Sequence, residues 1–131
     1  MLRRMSAIPG LSILLISGTH ERAHYAFALA AGAAALGRRT SIFATNRGCF
    51  ALETDWSGLD NATRDRTIRA RGVAGFDDLR DACLELGVRL LACDAGLKSE
   101  DLSTATLLPA VQVTGIAAFL ADSAESQIVT L

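Results

Sequence analysis

Three consecutive segments, Leu11 to Ser17, Glu21 to Leu36 and Thr40 to Thr45, read as strand, helix, strand, and that order leaves little freedom in how the chain can fold. The first is a run of Leu and Ile of strand length, and Gly18-Thr19 can end it and cap the helix that follows. Along the second, Ala23, Ala26, Ala30, Ala31 and Ala34 lie near helical spacing beside Phe27 and Leu29, so the helix presents a low surface that can sit close on a sheet. Gly37 stops it, and Arg38-Arg39 lead into the third segment. A helix between two strands is the connection that parallel pairing requires. The expected class is therefore α/β.

The pattern breaks between Asn46 and Gly75, where turn-formers Asn46, Gly48, Gly58 and Asn61 precede the charged stretch Arg64 to Arg71. A structureless stretch of this length is unusual inside a compact domain, so a short helix near Ala62 to Ala70 or a mobile lid is expected, with the four arginines on a solvated face. Phe76 to Leu86 reads as an amphipathic helix, with Phe76, Leu79, Cys83 and Leu86 on its apolar face and Arg80 among the polar positions. Gly87 closes it before a strand, Val88 to Ala92. Beyond Cys93 the segment Asp94 to Glu100 is expected to return to helix, and a helix is expected from about Ser99 to Thr106, with a break at Pro109. An extended piece at Val111 to Val113, a helix from Gly115 to Ala124 and a strand from Gln127 to Leu131 complete the chain. Five strands are counted in all, with no repeat and no low-complexity tract.

With 131 residues, half of them hydrophobic, the chain suits one domain with a single core. Thirteen basic and 14 acidic side chains leave a formal charge of −1, so no overall field draws it to nucleic acid or anionic lipid, and self-association is open to it. The apolar run near Leu11 to Ile16 is too short to cross a bilayer, and although Arg3 and Arg4 precede it, no small-residue cleavage site follows. Three cysteines, Cys49, Cys83 and Cys93, match no zinc spacing and no CxxC motif, which suits reduced thiols in the cytoplasm.

Two motifs invite chemistry. His20-Glu21-Arg22-Ala23-His24 spells HExxH, in which two imidazoles four apart on a helix can hold zinc beside a glutamate base. It opens its helix directly after a strand, however, and a third ligand would have to be a carboxylate such as Glu53 or Asp55. Coincidence is the expected explanation, with polar side chains in an exposed first helical turn; a zinc hydrolase remains the remote alternative. Gly18-Thr19 stands where α/β proteins often bind phosphate, but no GxGxxG or GxxxxGK[ST] accompanies it.

The cysteines separate by position. Cys83 falls on an apolar helix face and reads as a small buried hydrophobe. Cys49 follows the second strand and reads either as packed beside Phe50, Leu52 and Trp56 or as a resolving thiol. Cys93 stands where a strand ends, and in an open α/β sheet the carboxyl ends of the strands face the ligand crevice. The helical segment after it, with Asp94, Gly96 and Lys98, could aim N–H groups and one ammonium at the sulfur, favouring thiolate. Local pattern alone suits a reactive and a buried thiol equally at Cys93.

Arg71-Gly72-Val73-Ala74-Gly75-Phe76-Asp77-Asp78-Leu79, then Glu85-Leu86-Gly87-Val88-Arg89-Leu90-Leu91-Ala92-Cys93, then Gly115-Ile116-Ala117-Ala118-Phe119-Leu120 resemble the DsrE/DsrF/TusD-like sulfur-relay family, as do Ser41-Ile42-Phe43-Ala44 and the small-residue first helix. The resemblance implies a three-layer α/β/α sandwich on a mostly parallel sheet of about five strands, assembled as a trimer or hexamer. It implies that Cys93 carries sulfane sulfur as a persulfide between donor and acceptor proteins, without metal or organic cofactor. Gly18, Thr19, Cys49, Asp94, Gly96, Lys98 and Gly115 are the expected supporting or pocket positions. The alternative is a non-catalytic subunit or small-ligand module of the same fold, with the loop around Trp56 as a protein interface.

Overall fold

The computed structural model describes residues 8–131, so Arg3 and Arg4 lie outside the described residues. Five strands, β1 (Gly10–Leu15), β2 (Thr40–Ala44), β3 (Arg89–Cys93), β4 (Gln112–Thr114) and β5 (Ser126–Thr130), form one sheet in the order β4-β3-β2-β1-β5. Every pairing is parallel. The expected parallel α/β class is the observed one. Parallel strands need both faces covered, and alternation along the strands divides the side chains between two layers.

On one face Ile13, Leu15, Ile42, Ala44, Leu90 and Ala92 meet α1 (His20–Ala35) and α3 (Phe76–Glu85) in the main core. The alanines of α1 let Phe27 reach Phe76 of α3 edge to face, with ring centroids 5.2 Å apart. Gly37 and Gly87 end the two helices at φ +83 and +80, a backbone region that side-chain-bearing residues rarely adopt. On the other face a smaller cluster of Phe43, Leu91 and Cys93 meets Phe119 of α5 (Ile116–Asp122). Phe119 stacks on Phe43 at 4.6 Å between ring centroids.

The expected short helix near Ala62 to Ala70 is α2 (Arg64–Ala70), preceded by 3-10 turns at Asn46–Leu52 and Trp56–Gly58. Arg66, Arg69 and Arg71 are exposed on it, as a solvated face requires. The helix expected from Ser99 to Thr106 is a correction. Helix α4 runs from Asp94 to Ser99, directly after β3, and only a 3-10 turn occupies Thr104–Thr106. The physical reason is capping: the Cys93 sulfur takes the Gly96 N–H and starts the helix at once, while Asp101, at φ +55, turns the chain out of it.

Candidate functional site

Cys93 is the last residue of β3 and the N-cap of α4, with Gly96 N–H directed at its Sγ at 3.4 Å. That short helix can sit against the end of β2 because residue 96 has no side chain. A Cβ there would lie 2.5 Å from the Asn46 backbone nitrogen, 2.5 Å from Thr45 Oγ1 and 2.9 Å from Thr45 Cα. Asn46 itself adopts φ +51, a conformation asparagine tolerates better than most residues, and its Oδ1 accepts the Ser99 hydroxyl at 3.4 Å. Strand end, glycine and asparagine together set the position of the sulfur.

Two expectations about this thiol are corrected. Cys93 is only 8% exposed, because it shares the apolar cluster of Phe43, Leu91 and Phe119 rather than standing open at the rim. Lys98 does not supply a free positive charge to it, because its Nζ pairs with Asp94 Oδ2 at 3.1 Å, one helical turn away.

The other thiols are excluded from ionising. Burial pushes Cys49 up to about 12, with a charge on Cys93 adding to the effect, and burial alone pushes Cys83 up to about 12. Cys83 Sγ donates to Phe27 O at 3.3 Å and Cys49 Sγ to Ala44 O at 3.6 Å. Both are fully buried in the main core, Cys49 with Leu52 and with Phe50 and Trp56 at its margin. Cys93 belongs to the cluster on the opposite face of the sheet. Thus Cys49 and Cys93 occupy different apolar clusters in this conformation.

Gly18 and Thr19 lie at the carboxyl end of β1, where the segment from Arg47 to Asp60 covers them. Asp60 donates its N–H to Gly18 O at 2.8 Å, and Asp60 O accepts the His20 N–H at 2.9 Å. Thr19 Oγ1 caps α1 by accepting the Arg22 N–H at 3.3 Å. These groups are engaged within the protein. Gly115 is the N-cap of α5, directly after Thr114, which pairs with Cys93 across β3 and β4.

The HExxH histidines are also corrected. Neither stands in an exposed turn: both are buried, and both ring Nε2 atoms are used, His20 with Asp65 Oδ1 at 2.8 Å and His24 with Ala74 O at 2.8 Å. Arg64 Nη1, which can only donate, lies 3.4 Å from His20 Nδ1, so the ring proton belongs on Nε2, facing the carboxylate. Among the described residues no group of three His, Cys, Asp or Glu is placed to hold a metal ion. Asp65 is the residue the sequence reading missed. It accepts from His20, from the Phe76 N–H at 2.8 Å and from Arg69 at 3.2 Å, joining α1, α2 and α3. Burial opposes its charge, but the hydrogen bonds from His20 and Phe76 and the charge of Arg69 outweigh it and hold the carboxyl below its ordinary value.

Arg80, expected on a polar face, is buried as well, its guanidinium donating to the carbonyls of Ala51, Glu53 and Thr54. It ties down the loop that a mobile lid would have needed free. Trp56, half-buried, packs onto Phe76, at 5.2 Å between ring centroids, and donates to Asp77 Oδ1 at 2.8 Å. A groove of about 470 Å³ runs between α1 and β5, lined by Tyr25, Leu29, Leu36, Arg38 and Val129, on the face away from Cys93.

A parallel five-stranded sheet with a helix-capping thiol at the end of an interior strand defines a small α/β domain, and comparison assigns its family. The profile of the DsrE/DsrF/DrsH-like family matches residues 52–131, more than half of the chain, and the chain belongs to that family. It is 26% identical, over a 150-position alignment covering 90% of this chain and 94% of the relative, to the sulfur carrier protein DsrE2 of Allochromatium vinosum. It is 24% identical to the uncharacterised protein YrkE of Bacillus subtilis, with 89% and 92% covered. Among solved structures, the YchN protein of E. coli shares the fold at a TM-score of 0.65 and 11% identity, covering 95% of this chain and all of that one. A protein of unknown function from Methanobacterium thermoautotrophicum does so at 0.54 and 16%, with 93% and 99% covered. No helix among the described residues is long and apolar enough to cross a membrane.

Proposed function

We propose that this protein is a sulfur carrier, or sulfurtransferase component, that holds sulfane sulfur as a persulfide on Cys93. The observation that carries the reading is the Gly96 N–H directed at Cys93 Sγ from the first turn of α4, in a chain whose other two thiols burial keeps protonated. A donated N–H favours thiolate over thiol. In the loading step the Cys93 thiolate attacks the outer sulfur of a donor persulfide, the donor's S–S bond breaks, and the donor leaves as thiolate. In the unloading step an acceptor thiolate attacks the outer sulfur of the Cys93 persulfide and Cys93 is released as thiolate. No electrons are gained or lost overall, and no cofactor is called for.

Donor and acceptor in this reading are proteins bearing reactive thiols; the Allochromatium relative is itself a sulfur carrier protein. The three unpaired cysteines suit a reducing compartment, the cytoplasm. Self-association, as a trimer or hexamer, is supported by Ile116 and Leu120 of α5 and Ile128 of β5, which leave apolar surface on the thinly covered sheet face. In this reading Gly96 shapes the surroundings of Cys93 by the contact described, and Asp94 and Gly115 by flanking the strand end, while Lys98 is taken up by Asp94. The alternative of a non-catalytic subunit draws support from one observation, the burial of Cys93 among aromatic rings.

Intact-mass measurement after exposure to a persulfide donor separates the two. One added sulfur, removed by reductant and lost in Cys93→Ser, is the expected result. No adduct on any cysteine of the folded protein would leave a structural subunit.

A further inference from the structure

We infer that Phe119, carried by α5, is the cap that decides whether Cys93 can be reached, and that α5 lifts from the sheet for the thiol to react. The inference rests on the assignment of Cys93 as the reacting thiol and adds how that thiol is regulated. Cys93 is 8% exposed, and its cluster is closed by Phe119, which is 1% exposed and stacked on Phe43. Attack on a donor persulfide requires the outer sulfur to approach Sγ along the S–S axis, and a chain or loop bearing that sulfur cannot enter beneath a packed phenyl ring. Either the chemistry does not occur or the ring moves.

The attachment of α5 makes movement the reasonable choice. Helix α5 has seven residues and Phe119 is the one side chain within it that is buried. Otherwise the helix end is held by a buried hydrogen bond from Ser123 to Ser12, at 2.8 Å, and by an exposed ion pair of Asp122 with Arg89 at 3.4 Å. Helix α1, by contrast, has 16 residues, among them buried Ala23, Ala26, Phe27, Ala30 and Ala33. Segments with few buried apolar contacts open locally at a free energy well below that of global unfolding. The outward face of α5 carries Ile116 and Leu120, half exposed, so the element that covers the thiol also offers apolar surface beside it.

Alkylation of the native full chain by iodoacetamide, with peptide mapping of each cysteine, tests this. Global unfolding exposes all three thiols alike, whereas lifting of α5 exposes Cys93 alone, so the ratio of Cys93 to Cys83 labelling isolates the cap. In the native protein Cys93 is expected to label faster than Cys83 yet roughly tenfold or more slower than in the denatured chain. Phe119→Ala should raise the Cys93 rate about tenfold with Cys83 unchanged. Should that variant not fold, Ser123→Ala loosens the same helix without hollowing the cluster and should raise the ratio a few-fold. Native labelling of Cys93 at the denatured rate overturns the proposal, as does a ratio that neither substitution moves. Sulfur loading is a separate readout: altered labelling with no persulfide removes the carrier function and leaves the cap, while persulfide formation with unaltered labelling removes the cap and leaves the carrier.

Discussion

The two faces of the sheet are covered in different ways. On one, α1 and α3 interlock through Phe27, Phe76 and the alanines, and behind them His20, Asp65 and Arg80 satisfy buried polar groups across three helices and a long loop. On the other, a single short helix contributes one phenyl ring, stacked on Phe43, to the cluster of Phe43, Leu91 and Cys93. The first face is the fold's stability, since removal of any member leaves a cavity or an orphaned polar group. The second holds Cys93, the proposed sulfur carrier, under a much thinner cover. The main core and Cys93 thus lie on opposite sides of the same strands: Leu90 and Ala92 point one way, Leu91 and Cys93 the other.

The comparison breaks most readily at Asp65. Asp65→Ala leaves the Phe76 N–H and the His20 ring without their acceptor and should cost about 3–5 kcal/mol in urea unfolding, as loss of one partner of a buried pair does. Its pH dependence follows from the sign of the shift. A carboxyl held below its unfolded value contributes stability above that value, about 3.9, and loses it as pH falls through the folded value. The stability gap between the native chain and Asp65→Asn should therefore be widest at neutral pH and narrow below about pH 4.

Next comes the pair of phenylalanines. Phe27→Ala should cost about 3–5 kcal/mol, whereas Phe119→Ala, at an edge that can collapse, should cost about 2. Equal losses in matched denaturation curves would erase the distinction between the faces. Gly96→Ala sharpens it further: with Thr45 and Asn46 in the way, about 1–3 kcal/mol is expected. Smallest is Lys98→Ala. Its ion pair is exposed at one end and the other, so calorimetry should register about 0.5 kcal/mol or less, with the Cys93 labelling rate unchanged.

Much of this was legible before any coordinates. The apolar runs of β1 and β2, the alanine spacing of α1 and the stop at Gly37 are local signals, and each element formed where its own residues favoured it. The boundary that failed, at Ser99 to Thr106, failed because a cysteine acted as the N-cap, a role in which sulfur is not a standard cue. Arg80 and the two histidines were read as surface because polar side chains usually are. Their partners lie far along the chain, His20 with Asp65 and Arg80 with the carbonyls of Ala51, Glu53 and Thr54, so no window of neighbouring residues contains the information.

The amino-acid order by itself determined a parallel α/β domain with Cys93 where the third strand runs out, because strand and helix periodicity and the chain-length demand of parallel connections are properties of short segments. Only the tertiary structure decided that the sulfur is covered, that Lys98 answers to Asp94, and that the HExxH stretch locks helices together through Asp65. Those outcomes depend on which distant groups meet in a space without water, where a buried polar atom must find a partner and an apolar ring closes over whatever lies beneath it.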